Sequence, residues 1–454
     1  MEEYRMLSTS GILGYGYAEE SLKIGMSWKP HVIGCDGGST DPGPYYLGAG
    51  KNFCSRLSVK RDLRLMLQAS VAAGIPCIIG TAGGAGGEPH LQDTAALVRE
   101  IAKEENLSFK MALIHAEQSK DDLVSWVNAG LTKPLVKMKP LDEATINRSE
   151  RVVGMMGPEP IAKALDEGAQ VILTGRSSDP AQWAAPAIRA GMPPAPSWYA
   201  GKMLECGAEP TVPKEPDCIF LRVFKDHIVC EPPNPIRRST PLAVSNFALH
   251  ENSSPIHHIE PGGLLDTSAC TFTAVNDRAV KIDGMTWTPA DQYTIKLEGV
   301  ENAGYRTITI CGTRDPVLIN QIDSYLETHR EKVASKAESF GVPRDSYKLI
   351  VRAYGRNGVM GAWEPIKESQ SHELGFIVEV VAQSQDVADA VLAMARTSML
   401  HADFAGRLCK EGNMAFPFSP SDISMGAMYR FSVFHTVAVT DPCAMFPIEY
   451  EKVG

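Results

Sequence analysis

The chain has 454 residues, of which 44% are hydrophobic and 22% charged, a balance that is ordinary for a globular enzyme with two or three domains. The net charge is -10, which argues against nucleic acid and anionic membrane as partners, because both need clustered Lys and Arg. The first residues are acidic and polar, and no apolar run approaches the roughly 20 residues of a spanning helix, so the sequence predicts a cytoplasmic protein.

The first half of the chain alternates short apolar runs with segments of helical periodicity. The strand-like runs are PHVIGCDGG, IPCIIGTAGGAGG, FKMALIHAE and QVILTGRSSD, and helix-like segments separate them. One of these helices, SKDDLVSWVNAG, is expected to be capped by Ser119. Continuous apolar strands that alternate with helices predict an α/β domain at residues 1–206, with a parallel sheet covered by helices on both faces.

The second half changes character after about Cys206. Strand-like runs dominate, including CIFLRVF, ACTFTAV, YRTITICG and YKLIVRAYG, and a few long helices accompany them. Asp315 and Pro316 suit the start of one of these helices. Blocks of strands beside a few helices predict an α+β domain at residues 207–454.

Polar and glycine-rich residues follow the predicted strands of the first half. Because the carboxyl ends of parallel strands lie at one edge of a sheet, where ligands bind, we expect these loops to form one site. The acid/base candidates in them are Asp36, Asp41, His115, Glu117 and Asp179. The candidates for holding substrate are Ser39, Thr40, Gly83, Gly84, Gly86, Gly87, Arg176 and Ser177.

Each of these features also has a structural interpretation. The glycines of GTAGGAGG fit neither GxGxxG nor GxxxxGK[ST], so the loop either cradles a small anion or is a close-packed turn, and no cofactor is indicated. His115 and Glu117 either form an acid/base pair or serve the strand end, and the sequence offers no third metal ligand at diagnostic spacing. Asp179 is either a site residue or the N-cap of the next helix.

The second half offers two further groups. Arg352 and Arg356 in RAYGRNGVMG either share one strand face and hold an anionic ligand, or belong to an exposed salt-bridged face. HENSSPIHHIEPGG is rich in histidine but lacks HxxH and HExxH spacing, so it does not indicate a metal site.

Several blocks together resemble the acyclic terpene utilisation AtuA-like family. They include GCDGGSTDPGPYYLG, IIGTAGGAGGEPHL, GRSSDPA, LECGA, EPPNPIRRSTPLAV, RAYGRNGVMG and FPFSPSDI, and the resemblance spans nearly the whole chain, in the short form without an appended carboxylase-type region. The resemblance implies a bacterial role in the catabolism of branched or unsaturated carboxylic acids, often as CoA esters, in some cases beside a small second protein. It implies no residue-by-residue mechanism.

We therefore expect a catabolic enzyme that acts on a small carboxylate or acyl substrate, of the hydratase/dehydratase type of lyase. Such chemistry needs a base beside a carbonyl, an acid that assists hydroxyl departure, and cations that hold the carboxylate. The alternatives are a hydrolase in which His115 and Glu117 activate water, with or without a metal, and a binding subunit that works only with a small partner. A homo-oligomer is expected in each case.

Overall fold

The computed structural model describes residues 2–250, 253–368 and 371–454. The chain forms two compact units: the first comprises the residues up to Glu301 together with Phe431–Gly454, and the second comprises Asn302–Arg430. The boundary predicted after residue 206 lies inside the first unit, because the strand Ile219–Val223 pairs with the strand Tyr4–Ser8.

The strands and helices are numbered in chain order. The strands are β1 (Tyr4–Ser8), β2 (Val32–Asp36), β3 (Cys77–Gly80), β4 (Phe109–Ile114), β5 (Thr132–Pro134), β6 (Ser149–Met155), β7 (Val171–Thr174), β8 (Ile219–Val223), β9 (His227–Glu231), β10 (His257–Glu260), β11 (Gly263–Asp266), β12 (Thr271–Ala274), β13 (Val280–Asp283), β14 (Thr286–Pro289), β15 (Thr294–Thr313), β16 (Tyr347–Tyr354), β17 (Leu374–Ala382), β18 (Asp422–Ala438) and β19 (Ile448–Val453). The helices are α1 (Glu19–Ser27), α2 (Pro44–Ala49), α3 (Arg56–Ala73), α4 (Glu88–Glu105), α5 (Lys120–Asn128), α6 (Glu143–Arg148), α7 (Glu159–Asp166), α8 (Ala181–Arg189), α9 (Pro194–Leu204), α10 (Pro241–Phe247), α11 (Pro316–Asn320), α12 (Ile322–Ser339) and α13 (Gln385–His401).

The predicted caps are confirmed. Ser119 accepts a hydrogen bond from the Asp122 amide at the start of α5, at 3.1 Å. Asp315 accepts hydrogen bonds from the amides of Val317 and Leu318 at the start of α11. Both side chains satisfy backbone donors that the first helical turn leaves free.

The large sheet of the first unit has a parallel centre, as predicted. Its strand order is β12-β13-β9-β8-β1-β2-β3-β7-β4-β19. The five strands β1, β2, β3, β7 and β4 run parallel, and each pairs with its neighbour in that order. Strands β8 and β19 pair antiparallel with the two sides of this centre, so the sheet as a whole is mixed.

Helices cover both faces of this sheet. Consecutive strand residues point to opposite sides, so each strand contributes apolar side chains to both faces. One face presents Met6, Val32, Ile78, Ala112 and Ile172 to α7, α8 and α9. The other face presents Leu7, Ile33, Ile79, Leu113 and Leu173 to α1, α3 and α4. Residues buried on both faces explain the continuous apolar runs of the sequence.

The strands of the second unit belong to a six-stranded sheet, in which β16, β17, β15 and β18 are neighbours in that order. Residues Tyr305–Thr313 of β15 pair antiparallel with β17, and β17 pairs antiparallel with β16. Alternate residues Phe376, Val378 and Val380 of β17 lie in one buried cluster with residues of α12 and α13. The strand-rich second half of the chain is thus confirmed, although its residues up to Glu301 belong to the first unit.

Candidate active site

Charged side chains that are buried or partly buried gather at the carboxyl end of the parallel strands of the first unit. We call them the buried charge cluster, which consists of Asp36, Arg176, Asp179, Lys202, Glu205, Glu260, Lys296 and Glu298. Arg176, which follows β7, donates from Nε to Glu298 at 2.7 Å and from Nη1 to Asp179 at 3.0 Å. Lys296 Nζ lies 2.9 Å from the other oxygen of Glu298. The cluster therefore links the rim of the large sheet to strand β15.

Glu298 is the ionised member on which this arrangement depends. Burial alone would raise the pKa of its carboxyl, but the positive charges of Arg176 and Lys296 outweigh burial and lower the pKa to about 2. Both Arg176 and Glu298 are only 3% exposed, so solvent screens their attraction little. The ion pair is therefore a fixed structural element of the cluster.

Asp36, the last residue of β2, has the opposite electrostatic character. Burial raises the pKa of its carboxyl well above the ordinary value, the negative charge of Asp179 raises the pKa further, and Gly38 and Arg176 lower it by less. Its Oδ1 has no hydrogen-bond partner among the described residues. A buried carboxyl with a raised pKa and an uncommitted oxygen is suited to exchange a proton with a ligand.

A second carboxyl of this kind comes from the end of helix α9. Glu205 Oε1 lies 2.6 Å from Lys202 Nζ, while Oε2 has no partner in the described part of the chain. Burial raises the pKa of Glu205 more than Lys202 lowers it, and with Asp179 nearby the pKa reaches about 8. The cluster thus holds two buried carboxyls, Asp36 and Glu205, whose pKa values are raised and which each have an oxygen without a partner among the described residues.

The cluster holds more carboxyls than cations. Three cations are present, and each lies beside a carboxyl: Arg176 pairs with Glu298, Lys296 also pairs with Glu298, and Lys202 pairs with Glu205. Because the cluster contains five carboxyls, ionising all of them would leave two uncompensated negative charges, which is costly away from solvent. The raised pKa values of Asp36, Glu205 and Glu260 agree with this excess of negative charge.

Thr81 connects the loops beneath the cluster. Its φ of 41° is left-handed, which is rare for a β-branched residue, and the residue is fully buried. The hydroxyl accepts from the amide of Ser177 at 3.2 Å and from Arg176 Nη1 at 3.3 Å. Strained backbone of this kind collects at functional sites because the surrounding structure must hold it in place.

The comparison with known families identifies this part of the chain. Residues 56–212 match the family model described as acyclic terpene utilisation family protein AtuA. This region is similar to the AtuA family. The match confirms the predicted resemblance, covers about a third of the chain, and includes Thr81, Arg176, Asp179, Lys202 and Glu205. No curated protein and no solved structure matches the chain.

The glycine loop of the AtuA region is a close-packed turn. The amides of Gly84 and Gly86 donate to the carbonyls of Thr81 and Ala82. At the start of helix α4, the amide of Glu88 donates to the carboxylate of Glu117 at 2.8 Å. A helix N-terminus attracts negative charge, and here the protein's own Glu117 supplies it, which weakens the prediction that Gly83, Gly84, Gly86 and Gly87 cradle a substrate anion.

A substitution at Gly86 would test how closely this loop is packed. A Cβ at Gly86 would lie 2.3 Å from the Arg176 amide nitrogen, whereas a Cβ at Gly130 would meet nothing within 4 Å, and both glycines have a positive φ. We therefore expect Gly86→Ala to lower the urea midpoint of unfolding far more than Gly130→Ala, since only the first adds a backbone clash. Equal midpoints for the two variants would contradict the close packing.

His115 and Glu117 do not form the predicted pair. His115 Nδ1 lies 2.8 Å from Glu88, and its Nε2 lies 3.7 Å from Glu449. Glu117 instead caps α4, with Arg151 Nε at 3.8 Å. Burial raises the pKa of Glu117, and the backbone amide of Glu88 and the charge of Arg151 oppose this shift.

The polar residues after β2 separate into two places. Thr40 is buried and donates to Glu298 at 3.0 Å, so it touches the buried charge cluster. Ser39 donates to Asp41 at 2.7 Å, and Asp41 lies at the surface. Asp36 and Thr40 thus join the cluster, whereas Asp41 and Ser39 bind each other at the surface.

Two further candidates of the AtuA region have defined partners. The cap interpretation of Asp179 is wrong, because α8 begins at Ala181 without a side-chain cap and Asp179 pairs with Arg176. Ser177 is fully buried, and its Oγ lies 3.2 Å from the hydroxyl of Thr174. Ser177 therefore supports the loop.

The two candidate arginines of the second unit are both paired. Arg352 forms an ion pair with Glu379, and Arg356 Nη2 lies 2.7 Å from Asp323. Strand β16 ends at Tyr354, so Arg356 lies in the following turn and does not share the strand face with Arg352 as predicted. These contacts favour the salt-bridged interpretation.

The described residues contain neither a metal-binding group of side chains nor a membrane-spanning helix. Within the described ranges, no three or more His, Cys, Asp or Glu side chains are grouped in a way that could hold a metal ion. No helix in the described part of the chain is both long and apolar enough to cross a membrane.

Lys202, Glu205, Lys296 and Glu298 were missed from the sequence. A signal existed for the first two, because Lys202 and Glu205 are the only charged residues in PAPSWYAGKMLE and lie three positions apart, as ion pairs on helices do. Lys296 and Glu298 alternate with apolar residues in TIKLEGV. This alternation is typical of a strand whose polar side faces solvent, so it did not indicate a site.

Proposed function

We propose that the chain is a catabolic enzyme that acts on a small carboxylic acid or acyl substrate by acid/base chemistry, as a lyase of the hydratase/dehydratase type. The observation that carries this proposal is the pair of buried carboxyls, Asp36 and Glu205, whose pKa values are both raised. Carboxyls that repel each other release their protons in separate steps. Over a range of pH, one then serves as the acid and the other as the base.

The rest of the buried charge cluster keeps these two carboxyls in place. Arg176 and Lys296 hold Glu298 ionised, and Arg176 also binds Asp179, which lies near both reactive carboxyls and raises their pKa values. A proton acceptor of raised pKa is a stronger base, which suits the removal of a proton from carbon beside a carbonyl.

The charge balance favours an acyl group over a free carboxylate at the reacting centre. Each cation of the cluster already has a carboxylate partner. A substrate carboxylate would enter a buried place without an uncommitted cation, whereas an uncharged carbonyl needs only hydrogen-bond donors. The member of the Asp36 and Glu205 pair that carries a proton is such a donor.

A substrate panel tests this function. We expect the purified protein to add water to some enoic acyl compounds, or to remove it from the matching hydroxyacyl compounds, with the thioesters reacting faster than the free acids. Proton NMR would follow the reaction, and the same panel without protein is the control. No addition or elimination of water on any compound would contradict the proposal.

A second candidate, a hydrolase, is favoured by the contacts of His115. The imidazole is half-buried between the carboxylates of Glu88 and Glu449, so it can take a proton from a bound water. Hydrolysis of a thioester or amide that disappears in His115→Gln and survives in Asp36→Asn would favour this candidate. Elemental analysis for a stoichiometric divalent metal would show whether such a hydrolase works with or without a metal.

A further inference from the structure

Three side chains, those of Tyr199, Glu205 and His258, combine deep burial with unused hydrogen-bonding capacity. Tyr199 is fully buried, His258 is 2% exposed and Glu205 is 4% exposed. The Tyr199 hydroxyl, both ring nitrogens of His258 and Glu205 Oε2 all lack a hydrogen-bond partner among the described residues. Buried polar atoms are nearly always paired with protein, ligand or ordered water, so these atoms indicate a position for a small polar ligand.

The elements that carry these side chains bring them together. Tyr199, Lys202 and Glu205 are spaced by three residues along α9 and its end, so they lie on one side of the helix. His258 and Glu260 alternate in β10, so they lie on one face of that strand. The rings of Tyr199 and His258 are 6.4 Å apart between centroids, which places the two surfaces against each other.

The charges around this position select a neutral oxygen. Burial, together with the smaller effects of Lys202 and His257, lowers the pKa of His258 to about 4, so the imidazole is neutral and offers one donor and one acceptor. Lys202 is already paired with Glu205, and Glu260 accepts from Ser178 at 2.5 Å. A hydroxyl group or a water molecule can both donate and accept here, which an anion or a cation cannot.

A pocket lies on the Tyr199 side of this position. Tyr199 lines a pocket of ≈ 350 Å³ together with Leu242, Leu249, Ile256 and Phe272. Leu242 and Leu249 are 79% and 56% exposed, so the pocket begins at the surface.

We propose that Glu205, Tyr199 and His258 hold the oxygen of the water that the reaction adds or removes, and that Glu205 exchanges the proton with it. This assignment rests on the proposed lyase function. In elimination, Asp36 takes the proton from the carbon beside the carbonyl, the C–O bond breaks with its electron pair going to oxygen, and Glu205 gives that oxygen its proton. Water leaves and a C=C bond forms, and hydration reverses each step.

Glu205→Gln separates the two proton transfers. In D2O, we expect the variant to exchange the hydrogen beside the carbonyl of a hydroxyacyl thioester within a few-fold of the wild-type rate, while the loss of water slows by roughly 100-fold or more. Tyr199→Phe should slow the loss of water by about 5-fold, since a neutral hydrogen bond contributes about 1 kcal/mol. An equal fall in both rates, or a fall in neither, would overturn the assignment.

A matched variant and a second measurement keep the test decisive. His329, in the second unit, is a buried histidine with an unpartnered Nε2, and His329→Gln should change stability without changing the ratio of the two rates. If Glu205→Gln does not fold, the double variant Lys202→Met with Glu205→Gln is used in its place, because it removes both partners of the ion pair.

A crystal structure of the wild-type protein tests the oxygen position without relying on activity. We expect density for an ordered oxygen within hydrogen-bond distance of Glu205, Tyr199 and His258, and its absence would overturn the assignment. An ordered oxygen in a protein inactive on every substrate would reduce the position to structural water, which overturns the assignment together with the lyase function. Water loss that survives in Glu205→Gln would overturn the assignment alone.

Discussion

Asp36→Asn is expected to lower the turnover rate by about 100- to 10,000-fold, the range that general acid/base groups contribute. The urea midpoint of the variant should equal or exceed that of the wild type at pH 7. The physical reason is that burial disfavours the ionised carboxyl, which is why its pKa is raised, and the amide keeps the shape without the charge.

Asp217 provides the matched comparison in the same unit. Asp217 is also a buried carboxylate, only 1% exposed, and it is held in an ion pair in which Arg237 Nε lies 2.9 Å from its Oδ2. Burial alone would raise the pKa of Asp217, but Arg237 and Asn234 bind the carboxylate, and the pKa is lowered. Asp217→Asn should therefore lower the urea midpoint while the folded fraction stays active. If Asp36→Asn instead unfolds early and its folded fraction works normally, the loop after β2 has only a structural role.

The second large effect concerns Glu298. Glu298→Gln is expected to destabilise the protein by about 3–5 kcal/mol at pH 7, the usual cost of removing one partner from a buried ion pair. The variant leaves Arg176 with Asp179 alone and Lys296 without its carboxylate. Urea denaturation of both proteins at the same concentration would measure the difference.

The pH dependence of this loss has a defined sign. The pKa of Glu298 is lowered from its ordinary value of 4.5 to about 2 in the folded protein. Its stabilisation is therefore fully present above pH 4.5 and is lost as the pH falls toward 2. The difference between wild type and Glu298→Gln should shrink over this range. A difference that is constant from pH 7 to pH 3 would contradict the assigned ion pair.

An exposed carboxylate serves as the control. Glu100 pairs with Arg56 and Lys60 at the surface, where solvent screens the charges. Glu100→Gln should leave the urea midpoint nearly unchanged. A loss as large as that of Glu298→Gln would mean that burial is not the cause of the difference.

The parallel centre of the large sheet could be predicted from sequence because burial on both faces leaves a local signature. Runs such as CIIG and VIL contain no polar side chain at the alternate positions, which strands covered by helices on both faces require. Asp36 and Arg176 could be proposed for the same reason, since each comes directly after such a run. Local patterns of this kind need no knowledge of distant partners.

The partners of those residues could not be predicted because they are set by long-range pairing. Glu298 lies 122 positions from Arg176 along the chain, and strand β8 joins the sheet beside β1 although more than 200 residues separate them. The expected pairing of His115 with Glu117 failed because the glycine loop brings α4, and with it Glu88, against the end of β4. Spacing along one strand carries no information about such contacts.

The strand order of the large sheet has a consequence for any related protein that shares only part of this sequence. The region 56–212 supplies β3, β4 and β7, while β1, β2 and β19, which flank them, come from outside it. That region carries Arg176, Asp179, Lys202 and Glu205, but Asp36, Glu260 and Glu298 lie beyond its ends. A protein that shares this stretch alone therefore inherits half of a charged centre, and its reactivity depends on the sequence that surrounds the stretch.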